Sequence, residues 1–188
     1  MPQAYPAGGD EHADRADQPG AVYRRFRDKD ALLETVILHV LERQEEQLKT
    51  AWSPELTRRI PLPEFAEQVV GAILQSTRLH AAFLRAARRF TETRCNTAFY
   101  RRAGRLERRA FDRLVDLFLV HRQEVRHAEP RAAVSFALLT VLCAVRELLV
   151  VSPELRDWRE VVPRDDDDLK RELTRAFLSY VGVASTRA

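Results

Sequence analysis

Apolar residues recur along most of this chain at steps of three and four positions, which is the repeat of an amphipathic helix. Val and Ile do not alternate with polar residues over any useful length, so strand signals are nearly absent. The pattern therefore predicts an all-α protein. Residues 1–19 lack the helical repeat and carry four acidic residues against Arg15 alone, so we expect a disordered or aberrant tail there.

Six helices are predicted from apolar stripes and end signals. The first begins near Asp28, a capping residue, and runs to about Lys49. Its predicted stripe is Leu32, Leu33, Val36, Ile37, Val40 and Leu41. The second predicted helix opens at Pro63, and the third runs through Leu79, Ala82, Phe83, Ala86 and Phe90. The fourth extends from about Asn96 to about Arg126. The fifth opens at Pro130, and the sixth begins in the acidic run Asp165–Asp168.

Length and cysteine content limit the class of protein. A chain of 188 residues can form one sizeable core, or a small module beside a larger domain. No uninterrupted apolar run reaches the roughly 18 residues of a membrane span, and no secretion signal is recognisable. We therefore expect a cytoplasmic protein that does not bind membranes, in which Cys95 and Cys143 are free, buried thiols.

Motifs that would indicate an enzyme are missing from the sequence. There is no Gly-rich phosphate loop, nucleophile elbow or Cys-x-x-Cys pair. His121 and Glu124 have the helical spacing of two metal ligands, but no second pair accompanies them. We therefore predict no catalytic residue, no metal, no cofactor and no enzymatic activity.

The distribution of charge says more than its total. The formal net charge is only +3, but the stretch from Arg85 to Arg113 contains ten arginines. Such a balance fits attraction to a polyanion without requiring it. The face from Arg101 to Arg109 has two interpretations, a solvated helix side or a surface for an anion or a second nucleic-acid contact.

The most informative stretch runs from Gly20 to Leu33, with the sequence Gly-Ala-Val-Tyr-Arg-Arg-Phe-Arg-Asp-Lys-Asp-Ala-Leu-Leu. Its order of residue types resembles the tetracycline-repressor (TetR) family of bacterial transcriptional regulators. In that family the pattern ends the recognition helix of a helix-turn-helix and opens the fourth helix. The resemblance implies an N-terminal DNA-binding domain joined to an all-helical effector-binding and dimerisation domain.

On that resemblance, residues 20–28 are the remnant of the DNA-binding domain and residues 29–188 form the second domain. The resemblance implies phosphate contacts from Tyr23, Arg24, Arg25 and Lys29. Their chemistry suits this role, because Tyr23 and Arg25 can reach phosphate oxygens and Lys29 adds its charge to a helix N-terminus. Such contacts position a protein on DNA without selecting a sequence.

The resemblance weakens before Gly20. The family commonly opens its recognition helix with Ala-Gly-Val-Ser, where this chain has Arg15, Ala16, Asp17 and Gln18. Three explanations stand: an upstream frame error or wrong start, a truncated regulator that keeps the effector domain, or an unusual fold of residues 1–19. We favour the first, because the composition changes abruptly at Gln18 and Pro19.

The expected function is a ligand-responsive regulator, most simply a repressor, that binds operator DNA as a homodimer and is released by a small, mainly apolar effector. The alternative is a truncated, dimeric small-ligand-binding protein without DNA binding. Candidate effector contacts are Phe65, Phe83, Phe90, Phe99, Tyr100, Phe111, Phe118 and Phe136. Candidate dimer contacts are Phe136, Leu139, Val145, Leu173, Phe177 and Tyr180, on the last two apolar helices.

Overall fold

The computed structural model describes residues 26–95, 97–151 and 165–183. Within these ranges the chain is helical and contains no β-strand, which confirms the predicted class. The chain divides into two compact units, Met1–Val36 and Ile37–Ala188. The predicted tail, residues 1–19, and most of the predicted remnant, residues 20–28, lie outside the described residues.

The described ranges contain seven α-helices and two tighter or wider helical turns. The α-helices are α1 (Lys29–Ala51), α2 (Pro54–Thr57), α3 (Leu62–Leu79), α4 (Ala81–Glu92), α5 (Ala98–Phe118), α6 (Pro130–Arg146) and α7 (Asp166–Tyr180). A 3₁₀ turn, Leu119–His121, follows α5, and a π-helical turn, Glu147–Val151, follows α6.

Capping side chains set several of the helix starts. Asp28 begins α1 as predicted, because its Oδ1 accepts a hydrogen bond of 2.8 Å from the Ala31 amide. Asp165 likewise begins α7 by accepting from the Asp168 amide at 2.7 Å. Ser53 starts α2, a short helix that the sequence did not predict, by accepting from the Leu56 amide.

A stack of aromatic rings lies at the centre of the second unit. The Phe65 ring of α3 lies 4.8 Å from the Phe118 ring of α5, which lies 4.6 Å from the Phe177 ring of α7. All three residues are at most 2% exposed. Helix α6 adds further buried side chains to the same core, among them Val134, Leu138 and Val145. Four helices thus bury one continuous apolar cluster.

Helix α5 ends earlier than predicted. The sequence suggested a helix to Arg126, but the α-helix stops at Phe118 and tightens into the 3₁₀ turn. The chain then bends, so that His121 and Val125 are buried and the Arg126 amide donates to the Val181 carbonyl at 3.0 Å. Core contacts outside the helix therefore override its local helical pattern.

The short helix that was predicted to run from Leu79 to Phe90 begins later, at Ala81. Leu79 is 77% exposed, and Ala82 and Ala86 are exposed as well. Helix α3 ends at Leu79 and α4 starts at Ala81, so the two helices do not share one continuous face. The less exposed side of α4 carries Phe83 and the buried Phe90, seven residues apart.

We expect Gly104→Ala to stabilise the protein. Gly104 lies inside α5, and a Cβ built there would meet no atom within 4 Å. Alanine should therefore raise the free energy of unfolding by about 0.5–1 kcal/mol, because glycine in a helix interior loses more backbone entropy on folding. Urea denaturation at an unchanged m-value measures the difference.

Gly182→Ala is the matched control and should have the opposite sign. Gly182 has a φ of +78°, and an added Cβ would lie 2.8 Å from the Arg126 carbonyl oxygen. A cost of about 1 kcal/mol or more follows from the strained backbone and the close contact. Equal effects of the two substitutions would contradict this account of both glycines.

Candidate functional site

The start of α1 carries the first group of predicted site residues. Lys29 is the first residue of the helix, is exposed, and makes no ion pair with any residue that the structure describes. Its neighbour Asp28 accepts hydrogen bonds from the Ala31 amide and from Arg27, which lowers the pKa of the Asp28 carboxyl. Tyr23, Arg24 and Arg25 lie outside the described residues, so Lys29 represents the predicted phosphate contacts here.

In the second unit, two ion pairs link α1 to α5. Glu42 accepts a hydrogen bond of 2.7 Å from Arg102, and Glu45 accepts one of 3.2 Å from Arg109. Burial is the largest single influence on Glu45 and raises the pKa of its carboxyl, but the hydrogen bonds and charges of Arg109 and Lys49 together outweigh it, and the net shift is downward. Ile37 is the one α1 residue that is buried, and Leu38, Val40, Leu41 and Leu48 are half-buried, so apolar contact holds this helix together with the ion pairs.

The outer face of α5 forms an open arginine-lined groove. Its volume is about 450 Å³, and its lining residues are Arg101, Gly104, Arg105, Arg108 and Arg109. We call it the α5 groove. Helical spacing alone places Arg101, Gly104, Arg105 and Arg108 on one side of α5, and the structure shows that this side is exposed.

The predicted effector contacts lie in several places. Phe65 and Phe118 belong to the aromatic stack, with Phe111 packed against the core. Phe90 and Phe99 form a separate edge-to-face pair with ring centres 5.7 Å apart. Phe83 is half-buried, and the remaining two candidates are exposed on the surface, Tyr100 by 45% and Phe136 by 56%. The described side chains thus do not surround one common space, and the effector contacts stay predictions.

The predicted dimer contacts divide into an exposed and a buried set. Phe136, Leu139 and Tyr180 are each about half exposed, and the Phe136 and Tyr180 rings are 5.1 Å apart. Leu173 is half-buried. Val145 and Phe177 are 1% and 2% exposed and belong to the core of the chain itself, so they are not available to a second chain.

The cysteine prediction was half wrong. Cys95 and Cys143 are free, as expected, but both are exposed. Cys143 follows Phe136 by seven residues, or two helical turns, and therefore lies on the same outward face of α6. We call Phe136, Leu139, Cys143 and Tyr180 together the α6–α7 surface. Cys95 lies in the turn between α4 and α5, where it is not enclosed.

The stretch Pro130–Val151 is long and apolar enough, by length and composition, to cross a membrane, and 33% of its most apolar window is buried inside the protein. Core helices of soluble proteins share this composition, and α6 does supply core residues. The incomplete burial of this stretch means that much apolar surface on α6 has no cover from the described part of its own chain.

His121 and Glu124 do contact each other, but in a structural arrangement. The Nδ1 atom of His121 lies 2.9 Å from a Glu124 carboxylate oxygen, and Nε2 lies 3.2 Å from the Thr57 carbonyl. Both ring nitrogens are therefore occupied, and the ring links the end of α2 to the turn after α5. No group of three or more His, Cys, Asp or Glu residues in the described ranges could hold a metal ion.

Comparison with known proteins adds no relative. No protein-family model matches the chain, no curated protein matches it, and no solved structure matches its fold.

The cap of α1 should depend on pH. Because the pKa of Asp28 is lowered in the folded protein, its ionised form stabilises the helix start above the unfolded pKa of about 3.9. This stabilisation is lost as the pH falls through the lower folded pKa. An NMR titration should show the Ala31 amide losing protection over that acid range.

Asp28→Asn is the control for this titration. Asparagine keeps a cap oxygen but cannot ionise, so the Ala31 amide should be insensitive to acid in the variant. The same acid transition in both proteins would mean that another group governs the helix start.

Proposed function

We propose that this chain is a ligand-responsive transcriptional regulator of the TetR type that acts as a homodimer. The observation that carries the proposal is the order of residue types from Gly20 to Leu33, within which a helix begins at Asp28 and Lys29 as expected. Asp28 caps that helix and leaves Lys29 exposed at its start. The all-helical fold of the described residues agrees with such a regulator without being specific to it.

Contact with the DNA backbone is supported by the charge at the start of α1. Lys29 has no competing carboxylate partner in the described ranges, and the positive end of the helix dipole adds to its field. The neighbouring Asp28 and Asp30 reduce that field. A phosphate contact at this point would therefore position the protein and contribute modestly to affinity, and base recognition would depend on residues before Gly20.

Dimerisation is supported by the α6–α7 surface. Exposed aromatic and aliphatic side chains from two helices lie close together there, with the Phe136 and Tyr180 rings 5.1 Å apart. Apolar surface of this kind is costly to leave in water, and a second copy would cover it across a two-fold axis. The partner that we propose is therefore an identical chain.

In the proposed mechanism a small, mainly apolar effector binds within the helical domain and favours one of two conformations. The effector shifts the equilibrium only by its difference in affinity for the two. The DNA-binding state requires the two reading helices to match half-sites one groove turn apart, about 34 Å. We propose that the effector favours the other state and releases the DNA.

A mobility-shift assay with the DNA upstream of the chain's own gene tests the proposal. We expect a sequence-preferring shift at about 50 mM salt that weakens at higher salt. Lys29→Gln should reduce the salt slope by about 0.9, because one phosphate contact is lost. Arg175→Gln, which removes one exposed positive charge from α7, is the control and should leave the slope unchanged. Absence of any sequence-preferring shift would favour the dimeric ligand-binding alternative.

The oligomeric state is tested separately by sedimentation velocity. We expect the wild-type chain to be a dimer and Phe136→Glu/Leu139→Glu to be monomeric, because two carboxylates in the contact would be desolvated without partners. Leu79→Glu, at a residue that is 77% exposed outside the α6–α7 surface, should remain dimeric. A monomeric wild type, or a dimer unaffected by the double substitution, contradicts the proposed interface.

A further inference from the structure

The α5 groove is distinguished from an ordinary charged helix face by its residue composition. Its lining consists of four arginines around one glycine, at helical steps that keep them on one side of α5. From Arg101 to Arg108 the helix rises by about 10 Å. Over such a length a nucleic-acid duplex, with one charge per about 1.7 Å of its axis, presents several phosphates.

Gly104 has no explanation inside the protein. A side chain at this position would meet nothing within 4 Å, so no close packing requires glycine. A glycine in the middle of a helix nevertheless costs about 1 kcal/mol relative to alanine. Its effect is to leave the helix backbone uncovered between the arginines, which is useful where an outside partner approaches the backbone closely.

The charges around the groove are only partly neutralised. Arg109 pairs with Glu45 of α1, and Arg108 pairs with Asp112 while its side chain stays 73% exposed. Arg105 is exposed and has no ion pair with any described residue. Arg105, and the part of the Arg108 guanidinium that does not bond to Asp112, are therefore accessible to a phosphate group, and arginine is the residue type that suits bidentate contact with phosphate.

We propose that the α5 groove binds the phosphate backbone of nucleic acid without regard to sequence. The openness of the groove favours a polymer over a small anion. A small anion on an exposed arginine gains little, since solvent and salt screen the contact. A polyanion gains from several such contacts together and from the release of its counterions. This surface lies in the second unit and does not depend on the regulator function proposed above.

Binding is tested with a short fluorescein-labelled duplex of arbitrary sequence, followed by anisotropy of the full chain between about 50 and 200 mM salt. The double variant Arg105→Gln/Arg108→Gln should reduce the slope of log affinity against log salt by about 1.8. Gly104→Glu, which places a carboxylate in the groove where there is space for it, should weaken binding in the same direction.

The matched control is Arg171→Gln/Arg175→Gln on α7. It removes two exposed arginines, 67% and 63% exposed, that pair within their own helix, and it should leave the slope as in the wild type. An equal loss in both double variants would show that net charge alone governs binding and would overturn the proposal. Equal competition by poly-glutamate of the same total charge would also overturn it, because the groove would then not favour phosphate.

The outcomes separate the two proposals. If the wild-type chain shows no preference for the gene's own upstream DNA but the groove variants lower the salt slope on arbitrary duplex, the regulator proposal fails and the α5 groove proposal stands. If the wild type shows that preference and the groove variants have no effect, the α5 groove proposal fails and the regulator proposal stands.

Discussion

The contact between the Phe65, Phe118 and Phe177 rings is the interaction on which the rest of the second unit depends. It joins α3, α5 and α7 at one point, and each ring is withdrawn from water. Because these helices are fixed against one another, α6 has a defined place in the core and a defined outward side. The core also determines which sides of the helices stay exposed. One exposed side is the apolar α6–α7 surface, and another is the arginine-lined α5 groove.

Two kinds of interaction hold the helices of this protein together. Apolar burial joins α3, α5, α6 and α7, and ion pairs add to it, both between α3 and α7 and between α1 and α5. Exposed ion pairs contribute little each and weaken with salt. Salt therefore weakens the ion-pair contribution more than it weakens the burial of the core.

Local chemistry made much of the fold predictable. Asp28, Pro130 and Asp165 each begin a helix where the sequence placed it, because a cap or a proline acts within one turn of its own position. The end of α5 was not predictable in this way. It depends on burial of His121 and on the hydrogen bond from Arg126 to Val181, contacts with residues far away along the chain. The exposed cysteines were missed for a similar reason, since an apolar helix such as α6 does not reveal which side its neighbours cover.

The candidate sites also divide into features that local sequence predicts and features that depend on packing. Residue types predicted the chemistry of Lys29 and of the arginines on α5, whereas the separation of the aromatic candidates into the core stack, the Phe90–Phe99 pair and the surface required the packed structure. Periodicity identifies apolar positions but cannot say whether they meet one another, an effector or a second chain.

The packing of α3 against α7 also has a consequence for biosynthesis. These helices have the most extensive contact in the second unit, yet Phe65 and Phe177 are separated by most of that unit's sequence. The apolar faces of α3, α5 and α6 must therefore leave the ribosome before the helix that completes their shelter has been translated. During that interval the nascent polypeptide is exposed to aggregation, and its yield in the cell should depend on chaperones that cover such faces until α7 emerges.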